Sequence, residues 1–432
     1  MTNYAEFLAR KAAVAQQRGR RVDVTDVHPM LHPWQAEIVQ WAVGVGRAAV
    51  WADTGLGKTM MQIEWARLSG ETALIVAPLA VCQQTVREAT KLGVLVQYIR
   101  ASEDITSPGV WITNYEMVTR FDPAPIDAVV LDESSILKNS DGKTRALLIE
   151  HFRTVPARLS CTATPAPNDP EELTSQAEFL GHTTRANMLA AYFIHDSDGW
   201  RMKGHARGPM FRWMATWALA VRRPSDLGHP DDGYVLPGLE IVPQIVPVEI
   251  EAEGQLFATD LGGVGGRAQV RRQTLQARCE RAAELVAAEP DEPWLLWCDQ
   301  NAEAEALADL TGAVNVHGGM TPEQKAEALL GFADGEIQRL VTKPKIASFG
   351  MNYQHCARMA FVGLSDSYEQ YYQAIRRCYR YGQTRVVHAH VVLSELESQI
   401  AANINRKERE ASVIVDSLVS AMRAARTERT AA

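Results

Sequence analysis

The chain has 432 residues, 46% of them hydrophobic and 22% charged, and its 44 Lys and Arg against 52 Asp and Glu give a net charge of −8. A typical domain takes about 100–200 residues, so this length with this apolar fraction excludes both a disordered chain and one small domain, and asks for two or three full-sized cores. The acidic balance excludes a surface that is basic all round, so contact with a polyanion has to come from a local patch.

In chain order, residues 1–30 read as a polar, mixed-charge helical extension without the apolar segment of a signal peptide. From 31 to 185, short apolar β-rich runs alternate with helical stretches, the pattern of a parallel sheet covered by helices. The predicted strands are 47–53, 72–78, 109–114, 127–133 and 157–164. Residues 186–285 lose that alternation, carry Gly and Pro clusters such as RPSDLGHPDDGYVLPG, and include LGGVGG at 261–266; they are predicted to connect two lobes through a helical insertion. The alternation restarts over 286–395, with strands expected at 293–299, 313–318, 337–343, 358–363 and 386–394. Residues 396–432 read as one charged amphipathic helix that frays into ARTERTAA. No run approaches the roughly 18 apolar residues of a membrane span. The six cysteines (82, 161, 279, 298, 356 and 378) form no Cys-x-x-Cys pair, so neither a zinc site nor a disulfide framework is expected, and a soluble protein of a reducing, cytoplasmic compartment is.

The first strand runs into Ala52-Asp53-Thr54-Gly55-Leu56-Gly57-Lys58-Thr59 and then into a helical stretch. Small residues at a helix N-terminus let backbone N–H groups curl around phosphate oxygens, and the helix dipole favours their charge. In such a P-loop Lys58 contacts the β and γ phosphates and the Thr59 hydroxyl binds Mg²⁺. An ATPase also needs carboxylates on a neighbouring strand, and VVLDE ends in two: Asp132 to hold Mg²⁺ and Glu133 to polarise the attacking water. The expected ligands are therefore ATP and Mg²⁺.

Five further segments carry a resemblance. Residues 132–139, DESSILKN, are similar to the Asp-Glu-x-His box of Swi/Snf ATPases, with Ser135 where the family places a histidine. Thr162-Ala163-Thr164-Pro165, with Asn168 and Glu172 behind it, resembles the family's third motif, which couples the ATP site to the nucleic-acid surface. LHPWQAEIV at 31–39 resembles its adenine-recognition segment; Gln35 reads either as a contact to the adenine edge or as a polar position on an amphipathic helix. Gln373 to Gln383, QAIRRCYRYGQ, resembles the last Swi/Snf motif, with Arg376 and Tyr379 in place of the usual Asp and His. The preceding SFGMNYQHC is similar to the fifth motif and offers Gly350, Asn352 and Gln354 as contacts. The segment from 373 is read as helical, which puts Arg377 and Arg380 on one face as candidate arginine fingers. Ala52 in place of the first P-loop glycine is a departure that superfamily 2 helicases share.

Residues 199–223 hold Arg201, Lys203, Arg207, Arg212, Arg222 and Arg223 and no acidic residue, interleaved with Trp200, Phe211, Trp213 and Trp217. A basic island in an acidic chain suits phosphate contact, and aromatics suit base stacking. The i, i+4 spacing of Trp213 and Trp217 equally suits the core face of a helix. Gln83 and Gln84 after one strand, and Asn114 and Tyr115 after another, are further candidates for backbone contacts.

The resemblance implies an α/β fold of two RecA-like P-loop lobes, with ATP hydrolysed between them and nucleic acid as partner. Its Swi/Snf character, in the compact form found in bacteriophages, favours translocation on double-stranded DNA. Two other readings stay open: an RNA-directed or strand-separating helicase of the same superfamily, and an ATP-binding switch or scaffold without motor activity. Glu133 together with Arg377 and Arg380 speaks against the last.

Overall fold

The computed structural model describes residues 17–138, 142–197, 199–247, 273–347, 351–363, 367–395 and 398–431. The chain divides into two compact units, residues 1–234 with 409–432, and residues 235–408.

The first unit is built on a seven-stranded sheet in the order β3-β4-β2-β5-β6-β1-β9, with every pairing parallel. Its strands are β1 (Arg47–Ala52), β2 (Thr72–Ala77), β3 (Val96–Tyr98), β4 (Gly109–Asn114), β5 (Ala128–Asp132), β6 (Ala157–Cys161) and β9 (Ala218–Val221). A parallel sheet covered on both faces needs strands that are apolar throughout, and β1, β2 and β4 are buried at every position but the first. Each Val, Leu or Ile so buried stabilises the unit by about 1.5–3 kcal/mol. A two-stranded antiparallel ribbon, β7 (Phe193–Asp196) and β8 (Gly199–Met202), stands apart from the sheet.

The second unit holds a parallel six-stranded sheet in the order β10-β15-β14-β11-β13-β12. These strands are β10 (Leu239–Val246), β11 (Trp294–Cys298), β12 (Val314–Val316), β13 (Arg339–Thr342), β14 (Arg358–Val362) and β15 (Val387–Ser394). Two parallel sheets flanked by helices, as the α/β alternation implies, make the two RecA-like lobes that the resemblance implies.

The stretch 186–285, expected as a connection, instead feeds both sheets. Ala218–Val221 pairs with β1, Leu239–Val246 pairs with β15, and the helix Leu275–Ala288 buries Cys279, Ala282 and Val286 in the second core. Pro243 within β10 masked that strand, and its place on the sheet edge is where a residue without an N–H is tolerated. LGGVGG (261–266) lies outside the described residues. The last helix, Ser398–Ala431, continues through the segment expected to fray. Its Ile414, Leu418, Val419 and Met422 are buried in the first core.

No helix among the described residues is long and apolar enough to cross a membrane.

Candidate nucleotide site

In a parallel sheet the loops that bind ligands leave the carboxyl ends of the strands. In the first unit β6 lies between β1 and β5, so the phosphate loop after β1, the Asp-Glu pair at the end of β5 and Thr162 after β6 meet on one edge. Cys161, the last residue of β6, is aligned with Val50 on one side and Asp132 on the other.

The phosphate loop spans Ala52 to Thr59 and opens the helix Lys58–Ser69. Gly55 and Gly57 adopt φ of 84° and 71°, the left-handed region that glycine enters without a Cβ penalty. A Cβ on Gly57 would also lie 2.5 Å from Gln35 Nε2. Gln35 thus covers the loop directly. Its Nε2 donates to Leu56 O at 3.0 Å and its Oε1 accepts from His32 N at 2.9 Å, so a contact to a base would exchange these bonds. Lys58 folds back to donate to Ala52 O at 2.8 Å and to Asp53 O at 3.2 Å. The Thr54 N–H donates to Asp53 Oδ1 at 2.6 Å, and Thr59 lies in the first turn of the helix.

Asp132 is buried, and burial raises its carboxyl above the ordinary range, against the opposing pull of Gln62 and Lys58. Glu133 follows at φ 54°, the one positive φ at a non-glycine residue among those described. Thr162 Oγ1 donates to Glu133 Oε2 at 3.2 Å and accepts from the Thr164 N–H at 3.1 Å. Ser135 is buried, with Oγ 3.4 Å from Glu133 O. Thr164 Oγ1 is buried without a partner among the described residues. One hydroxyl therefore holds the Glu133 carboxylate, and a second lies two residues on. Behind them, Asn168 Nδ2 donates to Glu172 Oε1 at 2.9 Å. Burial pushes the Glu172 carboxyl up to about 7.

A P-loop at a helix N-terminus, a hydroxyl at Thr59 and a buried carboxylate at Asp132 form a donor set that fits Mg²⁺-bound triphosphate. Two contributors escaped the sequence reading. Gln62, on the buried face of the P-loop helix, donates from Nε2 to Asp132 Oδ1 at 2.7 Å. Tyr115, expected on the nucleic-acid surface, donates its hydroxyl to Asp132 O at 2.6 Å instead. A polar residue between the apolar Met61 and Ile63 was the available signal for Gln62.

In the second unit the helix carrying Gln373 spans Tyr368–Ile375. The expectation of a shared helical face for Arg377 and Arg380 is therefore corrected: both lie beyond that helix, on a loop. Gln383 shapes the loop, its Nε2 donating to Cys356 O at 3.0 Å and Cys378 O at 3.3 Å. The Tyr353 N–H donates to Arg377 O at 2.8 Å, and Arg377 Nη1 donates to Met351 O at 3.2 Å. Burial and the neighbouring Arg377 lower the Arg380 guanidinium to about 10. The two departures from the Swi/Snf pattern meet: the Arg376 guanidinium lies 5.0 Å from the Tyr372 ring centre and 5.2 Å from that of Tyr379. Asn352 and Gln354 are exposed on the adjoining segment. Gly350 lies outside the described residues.

The nucleic-acid candidates divide. Asn114 is buried, and its amide accepts from Tyr98 Oη at 2.8 Å and donates to Glu116, so the expected backbone contact is corrected to a structural bond. Gln83 is exposed near the start of the helix Leu79–Lys91. Phe211, Trp213 and Trp217 are core residues, which leaves Trp200, 36% exposed, as the accessible ring of that set. Arg201 pairs with Asp196, Arg222 with Asp416 and Arg223 with Asp231. Lys203 donates to Ala190 O, and Arg207 to Ser417 Oγ. Arg212 is exposed.

Residues 29–188 match the SNF2-related domain, and residues 277–382 match the helicase conserved C-terminal domain. Protein p41 of Acyrthosiphon pisum secondary endosymbiont phage 1 is 32% identical over 182 residues, 35% of this chain and 39% of that protein. The chain thus spans well under half the length of that relative. Among solved structures, the Sulfolobus solfataricus SWI2/SNF2 ATPase core in complex with dsDNA is 17% identical, over 93% of this chain and 96% of that one, at a TM-score of 0.44.

Proposed function

Because the chain belongs to the Swi/Snf-like helicases of superfamily 2, with an SNF2-related domain followed by a helicase C-terminal domain, we propose that it is a nucleic-acid-stimulated ATPase that translocates along double-stranded DNA. The observation that carries the proposal is the convergence of Lys58, Asp132, Glu133 and Thr162 on one sheet edge, with Thr162 hydrogen-bonded to Glu133.

The chain's own groups divide the work. Backbone N–H groups from Thr54 to Thr59 cradle the phosphates, and Lys58 exchanges its bonds to Ala52 O and Asp53 O for phosphate oxygens. Thr59 and Asp132 would hold Mg²⁺, which would neutralise charge on the phosphate oxygens. Glu133 accepts the proton-bearing side of the attacking water, and Thr162 fixes the direction of that carboxylate. Gln35, packed against Gly57, is the candidate to meet the base. Arg377 and Arg380, on a loop set by Gln383, are the candidate arginine fingers. Thr164 and Ser135 are the candidates for relaying nucleotide state, and the exposed Gln83, Asn352 and Arg212 for phosphate contacts that position without reading sequence. The six buried thiols and the resemblance to a phage protein support action in the cytoplasm of a bacterial host.

The test is steady-state ATP hydrolysis without nucleic acid and with duplex DNA, single-stranded DNA and RNA, alongside Glu133→Gln and Arg377→Ala. Stimulation by duplex DNA that both variants abolish is the expected result. Stimulation by RNA alone would move the track to RNA, and absence of turnover on every polymer would overturn the motor reading.

A further inference from the structure

We propose that Tyr115 is a positioning residue for hydrolysis, fixing the turn that presents Glu133; the inference rests on the ATPase reading of this site. Tyr115 follows the last residue of β4, whereas Asp132 ends β5, and β2 lies between these strands. The phenol therefore spans the carboxyl end of β2, where the fully buried Ala77 leaves room, and donates to Asp132 O at 2.6 Å.

That carbonyl belongs to the peptide plane joining Asp132 to Glu133, and because the plane is rigid, anchoring its oxygen fixes the plane from which the Glu133 φ is measured. The φ in question is 54°, a conformation that a residue with a Cβ holds only when its surroundings impose it. Tyr115 holds the peptide on one side of Glu133 and Thr162 holds the carboxylate on the other. Without the phenol the turn is free to relax toward negative φ, which swings the carboxylate away from the water it orients. The phosphate loop and its Lys58 are untouched by that change, so nucleotide binding is preserved while turnover falls.

Tyr115→Phe removes the hydroxyl and keeps the ring. Thr113→Val serves as the control, because it deletes a buried hydroxyl bond on the same strand, Thr113 Oγ1 to Ile99 O at 2.9 Å, that is directed away from the carboxylates. With the full chain and its stimulating polymer, Tyr115→Phe is expected to lower kcat about tenfold at unchanged KM for ATP, in line with the cost of a small misplacement of a reacting group. Thr113→Val is expected to keep kcat, and the two variants to lose similar amounts in melting temperature. A wild-type kcat in Tyr115→Phe, or equal kcat losses in both variants, would overturn the inference, provided the parent enzyme turns over and Glu133→Gln does not. No turnover in the parent chain on any polymer would overturn the underlying reading and this inference with it.

Discussion

Gln62 Nε2 donates to Asp132 Oδ1 at 2.7 Å, and the other end of the same amide, Oε1, is buried without a partner among the described residues. The orientation follows from charge. An ionised carboxylate accepts only, so the amide has to turn its N–H group toward Asp132 and leave its own oxygen facing the core. That arrangement costs the chain one unmet acceptor and sets the direction of the carboxylate proposed to hold the metal, much as outer partners orient metal ligands elsewhere. Gln62→Leu is expected to weaken Mg²⁺-dependent nucleotide binding about tenfold, the lower end of the usual loss for such partners. Titration of a fluorescent nucleotide with and without Mg²⁺ checks this: the metal-dependent gain in affinity should shrink, while affinity in chelator stays at the parental value.

Gln383 fixes the arginine loop through two carbonyls, those of Cys356 and Cys378. Gln383→Leu keeps the volume and removes both bonds. Arg377 and Arg380 then lose their fixed positions, and kcat should fall about tenfold or more, with nucleotide affinity little changed. Single-turnover hydrolysis beside equilibrium nucleotide binding separates the two effects. A parental kcat would show that the loop does not depend on this amide.

Arg278 Nη1 lies 2.8 Å from Glu303 Oε1, and both side chains are fully buried. Glu303 Oε2 also accepts the N–H groups of Asp299 and Gln300 at the start of the helix Asn301–Thr311, so one carboxylate serves an ion pair and a helix cap together. Gly363, at φ 81°, packs so closely that a Cβ there would lie 2.6 Å from Glu303 Oε1. Glu303→Gln takes the negative charge out of a fully buried ion pair and should destabilise the second unit by about 3–5 kcal/mol. Hydrogen exchange on the full chain is the measurement, with lost protection expected in residues 275–311 and not around the phosphate loop.

What the sequence made legible was contiguous. The phosphate loop, the Asp-Glu pair and the Thr-x-Thr segment each lie within a few residues of sequence, and each follows the carboxyl end of a strand, where the alternation of β and helical runs puts it. What it hid depends on partners distant in sequence. Asn114 reads as an exposed polar strand end until Tyr98 and Glu116 take both ends of its amide. The spacing of Arg377 and Arg380 suits a helix, but the chain leaves the helix at Ile375 because Cys378 turns inward and Gln383 ties the loop down. Ala218–Val221 is too short and too alanine-rich to announce a strand, yet pairing with β1 buries all four residues.

Glu172 gives a pH-dependent prediction whose sign can be worked out. Its carboxyl rises from an unfolded value of 4.5 to about 7 because burial opposes the charged form. Between those values the folded chain binds more protons than the unfolded one, so this group's contribution to stability is complete below pH 4.5 and is lost as pH rises toward 7. His182 acts in the opposite sense: burial lowers its imidazole to about 4, so its contribution is lost as pH falls from 6.5. The parental melting curve mixes the two. In a Glu172→Gln variant the His182 effect is shared, so the difference in melting temperature between variant and parent should shift in the variant's favour from pH 4.5 to pH 7. A difference that stays constant over that range would mean that Glu172 titrates alike in the folded and unfolded chain.

Arg222 tests whether the basic island meets nucleic acid. Its Nη1 lies 2.5 Å from Asp416 Oδ1 on the last helix, and both side chains are about half exposed. An ion pair so open to water contributes only about 0–1 kcal/mol, so a phosphate can replace Asp416 at small cost if polymer runs across this face. Asp416→Asn removes the competing charge. Should Arg222 contact phosphate, the variant binds duplex DNA a few-fold more tightly, and its affinity falls more steeply with salt, by up to about 0.9 in logarithmic slope for one added phosphate contact. Arg222→Ala should lower that slope, and in its background Asp416→Asn should lose its specific gain. Equal gains in both backgrounds would mean that removing a negative charge near the polymer is all that matters, and would return Arg222 to a purely structural role as an anchor for the last helix.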